Sequence, residues 1–202
     1  MTAMPFALRG AARVQARIAE NIAATQGLLR GAVPGQVAEL ADVLVDALRA
    51  NHKLLLFGNG GSAADAGHLA AEFVGRFRHD RPALPAISLA DNASSISAIG
   101  NDFGFEHVFA RQVEAFGQPG DVAIGLTTSG RSRNVALGLA AARAGGLRTA
   151  ALCGMVTPEL ESSAELCVCT PARETARVQE CHMLVGHIVC ELVERALFPL
   201  PA

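Results

Sequence analysis

Apolar residues recur at three- and four-residue spacing along residues 11–29 and 34–50, the period of a single helix face, so the chain opens with two amphipathic helices. From residue 53 the pattern changes. Short apolar runs at 53–57 (KLLLF), 84–89, 121–126, 147–152 and 165–169 alternate with helical stretches at 62–75, 93–100, 105–116, 132–144, 157–163 and 173–197. Apolar strands separated by helices predict a parallel sheet covered on both sides, an α/β fold. No linker or internal repeat divides the chain, so residues 1–202 are expected to form one domain, with N-terminal helices over 1–50 and an α/β core over 51–202. The last helix (HMLVGHIVCELVERALF) and the Ala-rich helices carry more apolar surface than a monomer needs, which predicts an oligomer; a core helix buried on two faces gives the same pattern.

Two strands run into small-residue loops that open helices, FGNGGS at 57–62 and LTTSGRS at 126–132. Ligands of open parallel sheets bind at the carboxyl ends of strands, which predicts that both loops border one crevice. In the second loop Thr127, Thr128, Ser129 and Ser132 offer hydroxyls, and Gly130 permits a tight turn into a helix whose first amides lack intrahelical partners. That is an anion cradle. It has neither the GK[ST] of a nucleotide loop nor GxGxxG spacing, so a monophosphate is the expected anion; Ser129 or Ser132 as a plain helix cap is the alternative. In the first loop, Gly60 and Gly61 allow positive φ and close backbone approach, Asn59 can present its amide to sugar hydroxyls and Ser62 can cap the next helix, although an ordinary strand-to-helix turn has the same composition. Asn101 and Asp102 (AIGNDFGFE) are expected in a further turn, as turn formers or as ligands.

His68 and Glu72 are four residues apart on a helix, hence on one face, where they can ligate one metal or divide acid and base roles over one substrate. A solvated pair is the alternative, but the neighbours (AGHLAAEFVG) are apolar, and unpaired charge among them would be costly. The last helix adds Gln179, His182 and His187 (RVQECHMLVGH), where His187 could equally be a hydrogen-bonded core histidine and Gln179 a surface residue. Cys181 and Cys190 are expected in the core, since their spacing with the histidines matches no common zinc pattern.

At 202 residues and 50% hydrophobic content the chain can bury a sizeable core. A formal net charge of -2 and the absence of Trp and Tyr argue against a nucleic-acid partner, which needs a basic footprint and stacking platforms; a small anionic metabolite fits better. Five cysteines with no CxxC pair and no preceding secretory signal make disulfides unexpected and point to the cytoplasm. The first 20 residues are Arg-rich in the manner of a transit peptide but lack its Ser enrichment, and are read as the start of an ordinary helix. No apolar run reaches the roughly 20 residues needed to span a bilayer, so no membrane partner is expected.

Taken in order and at these separations, GNGGS, HLAAE, GNDFGFE, TTSGRS and RVQECHMLVGH resemble the phosphoheptose (sedoheptulose 7-phosphate) isomerases of the sugar-isomerase, or SIS, domain family, over nearly the whole chain. The resemblance implies a single SIS domain with a doubly wound, flavodoxin-like five-stranded sheet, in a homotetramer with active sites at subunit interfaces. It implies conversion of D-sedoheptulose 7-phosphate to D-glycero-D-manno-heptose 7-phosphate, the first step of activated heptose biosynthesis for lipopolysaccharide and other heptose-containing glycans. By the same resemblance Glu72 and His187 fall on acid/base positions. Asn59, Gly60, Gly61, Ser62, Glu72, Asn101, Asp102, Thr127, Thr128, Ser129, Ser132 and Gln179 fall on substrate-binding positions, and His68, Glu72, Gln179 and His187 on positions that hold zinc in some members. Thr127 stands where the family's phosphate loop usually has Ser, and Arg131 where Asn is common, both keeping a hydroxyl loop; Ala63 to Gly67 (AADAG) is small and plain.

Aldose–ketose isomerisation moves a proton between adjacent carbons through an enediol, so it needs a base, an acid and donors for the developing oxyanion. Glu72 and His187 are expected to share that work, without a ranking of which takes the first proton. Gln179 and His187 are about 12 Å apart along one helix and about 80° apart around it, which predicts that the ligands of any one ion come from more than one subunit. Three other readings stay open: a non-catalytic SIS tetramer that binds a protein partner, of the replication-initiator-associating type, which lacks the acid/base pair; an isomerase of another phosphosugar; and a sugar-phosphate sensor, for which no DNA-binding segment is present.

Overall fold

The computed structural model describes residues 10–199; residues 1–9, which begin the arginine-rich N-terminal stretch, and 200–202 lie outside the described residues. Helices α1 (Ala11–Gly27) and α2 (Val33–Arg49) precede β1 (Leu54–Gly58), α3 (Gly61–Val74), β2 (Ala86–Ser88), α4 (Ala93–Phe103), a 3₁₀ turn (Phe105–His107) and α5 (Ala110–Phe116). Then follow β3 (Val122–Thr127), α6 (Arg133–Ala144), β4 (Arg148–Cys153), α7 (Pro158–Ser163), β5 (Leu166–Cys169) and α8 (Thr175–Leu197). The five strands form one sheet in the order β2-β1-β3-β4-β5, every neighbouring pair parallel. This is the flavodoxin-like, doubly wound order expected for the chain, and the order reverses between β1 and β3.

Both faces of the sheet are covered, which is why the central strands β1 and β3 are buried along their whole length. Leu54 and Leu56 of β1, with Val122, Ile124 and Leu126 of β3, pack into the core shared with α2, α3 and α8. The intervening Leu55, Phe57 and Ala123 face the opposite core with Val113 of α5 and Val135 and Leu139 of α6. At the amino end of the sheet, the buried Asp121 carboxylate accepts hydrogen bonds from the backbone amides of Lys53 (2.9 Å) and Gln118 (2.8 Å) and pairs with the Lys53 ammonium. It ties the starts of β1 and β3 together.

Three elements differ from their sequence pattern. The run 84–89 contributes only Ala86–Ser88 to the sheet, because the Leu84 amide is drawn to the Phe73 carbonyl (3.1 Å) at the end of α3 and Pro85 has no amide to give the ladder. The helix expected near 93–100 is capped by the Asn92 side chain, which accepts from the Ser95 amide at 3.0 Å, and runs on to Phe103. Gly104, with φ of 90°, then breaks the chain into the 3₁₀ turn before α5.

Candidate active site

Because the strand order reverses between β1 and β3, the loops leaving them splay apart and open a crevice at their carboxyl ends. Loop 59–60 and loop 128–132 flank it. Gly60 takes φ of 56°, and a Cβ on Gly61 would run into the Gln179 side-chain amide, so α8 approaches this loop only because it has no side chain there. Gln179 is thereby brought to the start of α3.

The two loops are stapled by an amide pair. Asn59 Nδ2 donates to Asn134 Oδ1 and Asn134 Nδ2 donates to Asn59 Oδ1, both at 2.8 Å, with Asn134 buried on the first turn of α6. Asn59 was expected to offer its amide to a sugar; in the structure one donor and the carbonyl oxygen are engaged with Asn134. Asn134 itself went unnoticed in the sequence, where an Asn inside a helix after a Ser/Thr loop carries no distinguishing signal.

In the second loop, Thr127 Oγ1 and Ser132 Oγ lie 3.0 Å apart, and Ser129 Oγ accepts from the Arg131 amide at 3.1 Å. Ser132 occupies the N-cap position of α6 yet its hydroxyl makes no capping bond, and α3 begins at the Gly60 N-cap without help from the buried Ser62. The serines are therefore not spent as caps. Gly130 has φ of 68° and lies against the Met155 carbonyl, while its own carbonyl accepts from Thr157 Oγ1 at 2.8 Å, so the 154–157 segment holds the hydroxyl loop from behind.

On the wall of the crevice, His68 Nε2 lies 3.3 Å from Glu72 Oε1 on α3 and 3.0 Å from His187 Nε2 on α8. The helices come this close because Gly186 faces Leu69, where a Cβ would sit 2.5 Å from Leu69 Cδ2. The Phe77 ring, 5.5 Å from that of His187, covers its other side. Donor atoms of His68, Glu72 and His187 all lie within 4.8 Å of one another, a group able to hold a metal ion. Two imidazole nitrogens at 3.0 Å must either share a proton or turn two lone pairs onto one cation, and two His with one Glu is a donor set that leaves coordination positions open. These residues fit zinc. The geometric expectation that ligands must come from different subunits does not apply to these three, which converge within one chain; Gln179 lies two turns back on α8, beside Gly61.

Asp65, one turn before His68, opens into the same depression as Gln179 and His187. Burial raises its carboxyl above the ordinary range, against the pull of His68. In sequence the segment Ala63 to Gly67 is plain, and a lone acid in a run of small residues is the one signal it offers. Asn101 and Asp102 lie on the exposed last turn of α4 rather than in a loop, hydrogen-bonded to each other at 2.7 Å. His182 is fully buried, and burial holds its imidazole down to about 4, so it is a neutral core residue.

The description "SIS domain" belongs to the family model that matches residues 16–154, and the chain belongs to that family. It is 52% identical over 162 residues to a phosphoheptose isomerase of Roseiflexus sp. (strain RS-1), spanning 80% of this chain and 82% of the relative. Among solved structures it is similar to a phosphoheptose isomerase of Neisseria gonorrhoeae (TM-score 0.84, 38% identity) and to one of Francisella tularensis (TM-score 0.86, 30% identity), each match covering 91% of this chain and 97% of the other. Within the SIS family the chain groups with the phosphoheptose isomerases.

Proposed function

We propose that the protein is an aldose–ketose isomerase converting D-sedoheptulose 7-phosphate to D-glycero-D-manno-heptose 7-phosphate, acting in the cytoplasm at the start of activated heptose biosynthesis. The observation that carries this reading is the convergence of His68, Glu72 and His187 beside a crevice whose other loop carries hydroxyls that cap no helix. A partner-binding SIS protein has no use for that group. The names of its relatives point to the same substrate.

In this reading the phosphate seats in Thr127, Thr128, Ser129 and Ser132 and at the amino end of α6, whose free amides and dipole favour an anion. Binding energy taken there, remote from the reacting carbons, orients the ring-opened sugar. Gly60 and Gly61 admit its backbone, Asn59 and Gln179 face its hydroxyls, and Asn101 and Asp102 serve the same role from α4. Glu72 and His187 divide the proton transfer: one removes the proton next to the carbonyl, and the other delivers a proton to the carbonyl oxygen as the enediol forms. Reversal of these roles at the neighbouring carbon completes the isomerisation.

His68, Glu72 and His187 would hold zinc, which when bound supplies a Lewis acid for the substrate oxygens, and Gln179, two turns back along α8, would join them only from a neighbouring subunit. The working form is proposed to be a homotetramer. Support comes from Val14, Ile18 and Ile22 on α1 and Leu184, Ile188 and Leu192 on α8, two i, i+4, i+8 apolar rows left 39–59% exposed. Among the described residues no helix is long and apolar enough to cross a membrane.

The test is incubation with sedoheptulose 7-phosphate in deuterated water, following new aldose signals and deuterium incorporation by NMR, with metal-stripped and zinc-loaded protein. Glu72→Gln should lower turnover by about 10² to 10⁴, the usual weight of a general acid or base. No conversion by folded, zinc-loaded wild type would reject the proposal in favour of another phosphosugar or a binding role.

A further inference from the structure

A cluster of soft ligands lies away from the His68–Glu72–His187 group. β4 ends at Cys153 and β5 carries Cys167 and Cys169. Cys153 and Cys169 are register partners on adjacent parallel strands, so their side chains stand side by side on one face; Cys167, two residues back, points the same way. Cys153 is fully buried in the core beneath α6 and α7, whereas Cys167 and Cys169 are half-buried on the edge strand, within reach of solvent. All three are free thiols. The neighbouring Cys167 and Cys169 thiols, together with burial, push the Cys153 thiol far above the ordinary thiol range, while Cys153 draws Cys169 down to about 6.

The spacing selects the chemistry. Side by side on parallel strands about 4.8 Å apart, Cys153 and Cys169 are free thiols and not a disulfide. Two metal–sulfur bonds of about 2.3 Å laid end to end span about 4.6 Å, which matches the strand spacing. Among the described residues the three sulfurs do not gather within 4.8 Å of one another, as the donor atoms of His68, Glu72 and His187 do, so they do not converge on a single tetrahedral ion. That leaves two-coordinate binding, the geometry of soft d¹⁰ monovalent ions, for which thiolates are the preferred ligands.

We propose that Cys153 and Cys169 form a two-coordinate site for a soft monovalent cation of the copper(I) class, with Cys167 as the entry ligand at the surface. Each metal–sulfur bond forms at a thiolate, so the Cys153 proton, and that of Cys169 wherever it is still protonated, leaves for solvent as the ion binds, and no electron is transferred. The site lies directly behind the hydroxyl loop. The Gly154 amide, next to Cys153, donates to the Thr127 carbonyl at 3.4 Å.

The probe is copper(I) itself, titrated anaerobically into the full-length protein against a chromophoric chelator, with X-ray absorption to identify the donors. The expected result is one ion per chain with two sulfur donors. Cys169→Ser, at a half-exposed position, should weaken binding by more than about 100-fold, beyond the effect of disturbing an outer-shell partner. Cys181→Ser should leave it unchanged. Cys153→Ala tests the buried ligand, and Cys169→Ser decides alone if that variant does not fold. Unchanged affinity in Cys169→Ser, or nitrogen donors in the spectrum, would overturn the assignment.

Discussion

Glu194 is the best position at which to test how the His68–Glu72–His187 group is held. Its side chain is 2% exposed and faces Arg81, 1% exposed, with Nε to Oε1 at 3.2 Å. The carboxylate also accepts from the amides of Phe77 (3.1 Å) and Arg78 (2.8 Å), while the Arg81 guanidinium donates to the carbonyls of Glu72 and Phe73, both at 2.7 Å. One buried pair thus ties the end of α3, the Phe77 loop and α8 together. Glu194→Ala leaves a buried guanidinium without its counter-ion and strands two amides, and removing one partner of a buried pair costs about 3–5 kcal/mol. Glu194→Gln keeps the shape and one acceptor and should cost about 1.5–3 kcal/mol, the value of hydrogen bonds to a charged group. Urea unfolding followed by circular dichroism measures both. Burial acts to raise the Glu194 carboxyl, but the Arg78 and Phe77 amides and Arg81 outweigh it and hold it below the ordinary range. The wild-type advantage over Glu194→Gln should therefore be full above the unfolded carboxyl pKa and shrink as pH falls through the lowered folded value. A loss below about 1 kcal/mol for Glu194→Ala, or an advantage independent of pH, would refute the argument.

Further outcomes follow from the crevice. Asn134→Ala should cost about 1–3 kcal/mol by leaving Asn59 without its partner, and should raise KM for the phosphosugar more than it lowers kcat, since the loops it joins bind rather than react. Gly130→Ala combines an unfavourable φ of 68° with a clash against Met155, and should raise KM in steady-state assays with little change in kcat. His68→Ala should abolish most zinc uptake, read by a chelator competition, while the far-ultraviolet spectrum stays unchanged, because its side chain is 49% exposed.

The sheet was legible because two-faced strands leave continuous apolar runs, and the crevice was legible because both glycine and hydroxyl loops follow such runs directly. What pattern could not supply was contact between distant segments. The Arg81–Glu194 pair spans 113 positions, and the Asn59–Asn134 staple 75, with nothing local to mark either. The same holds for β2, whose run of 84–89 looks like a full strand until Phe73 takes the Leu84 amide. The approach of His68 to His187 depends on how closely α3 and α8 pack, which residue spacing along a single helix does not contain.

That closeness is set by the missing side chain at Gly186. By local criteria Gly186→Ala is an improvement, since alanine in a helix interior is favoured over glycine by about 1 kcal/mol. A selection for thermal tolerance, or a consensus-based redesign, would accept it readily. Yet the added methyl meets Leu69, which is buried in the core, so the gain in helix formation would be taken by widening the gap between His68 and His187. Position 186 is therefore a place where robustness and catalysis pull in opposite directions, and where a stabilised descendant of this chain would lose activity without any change to a residue that touches substrate.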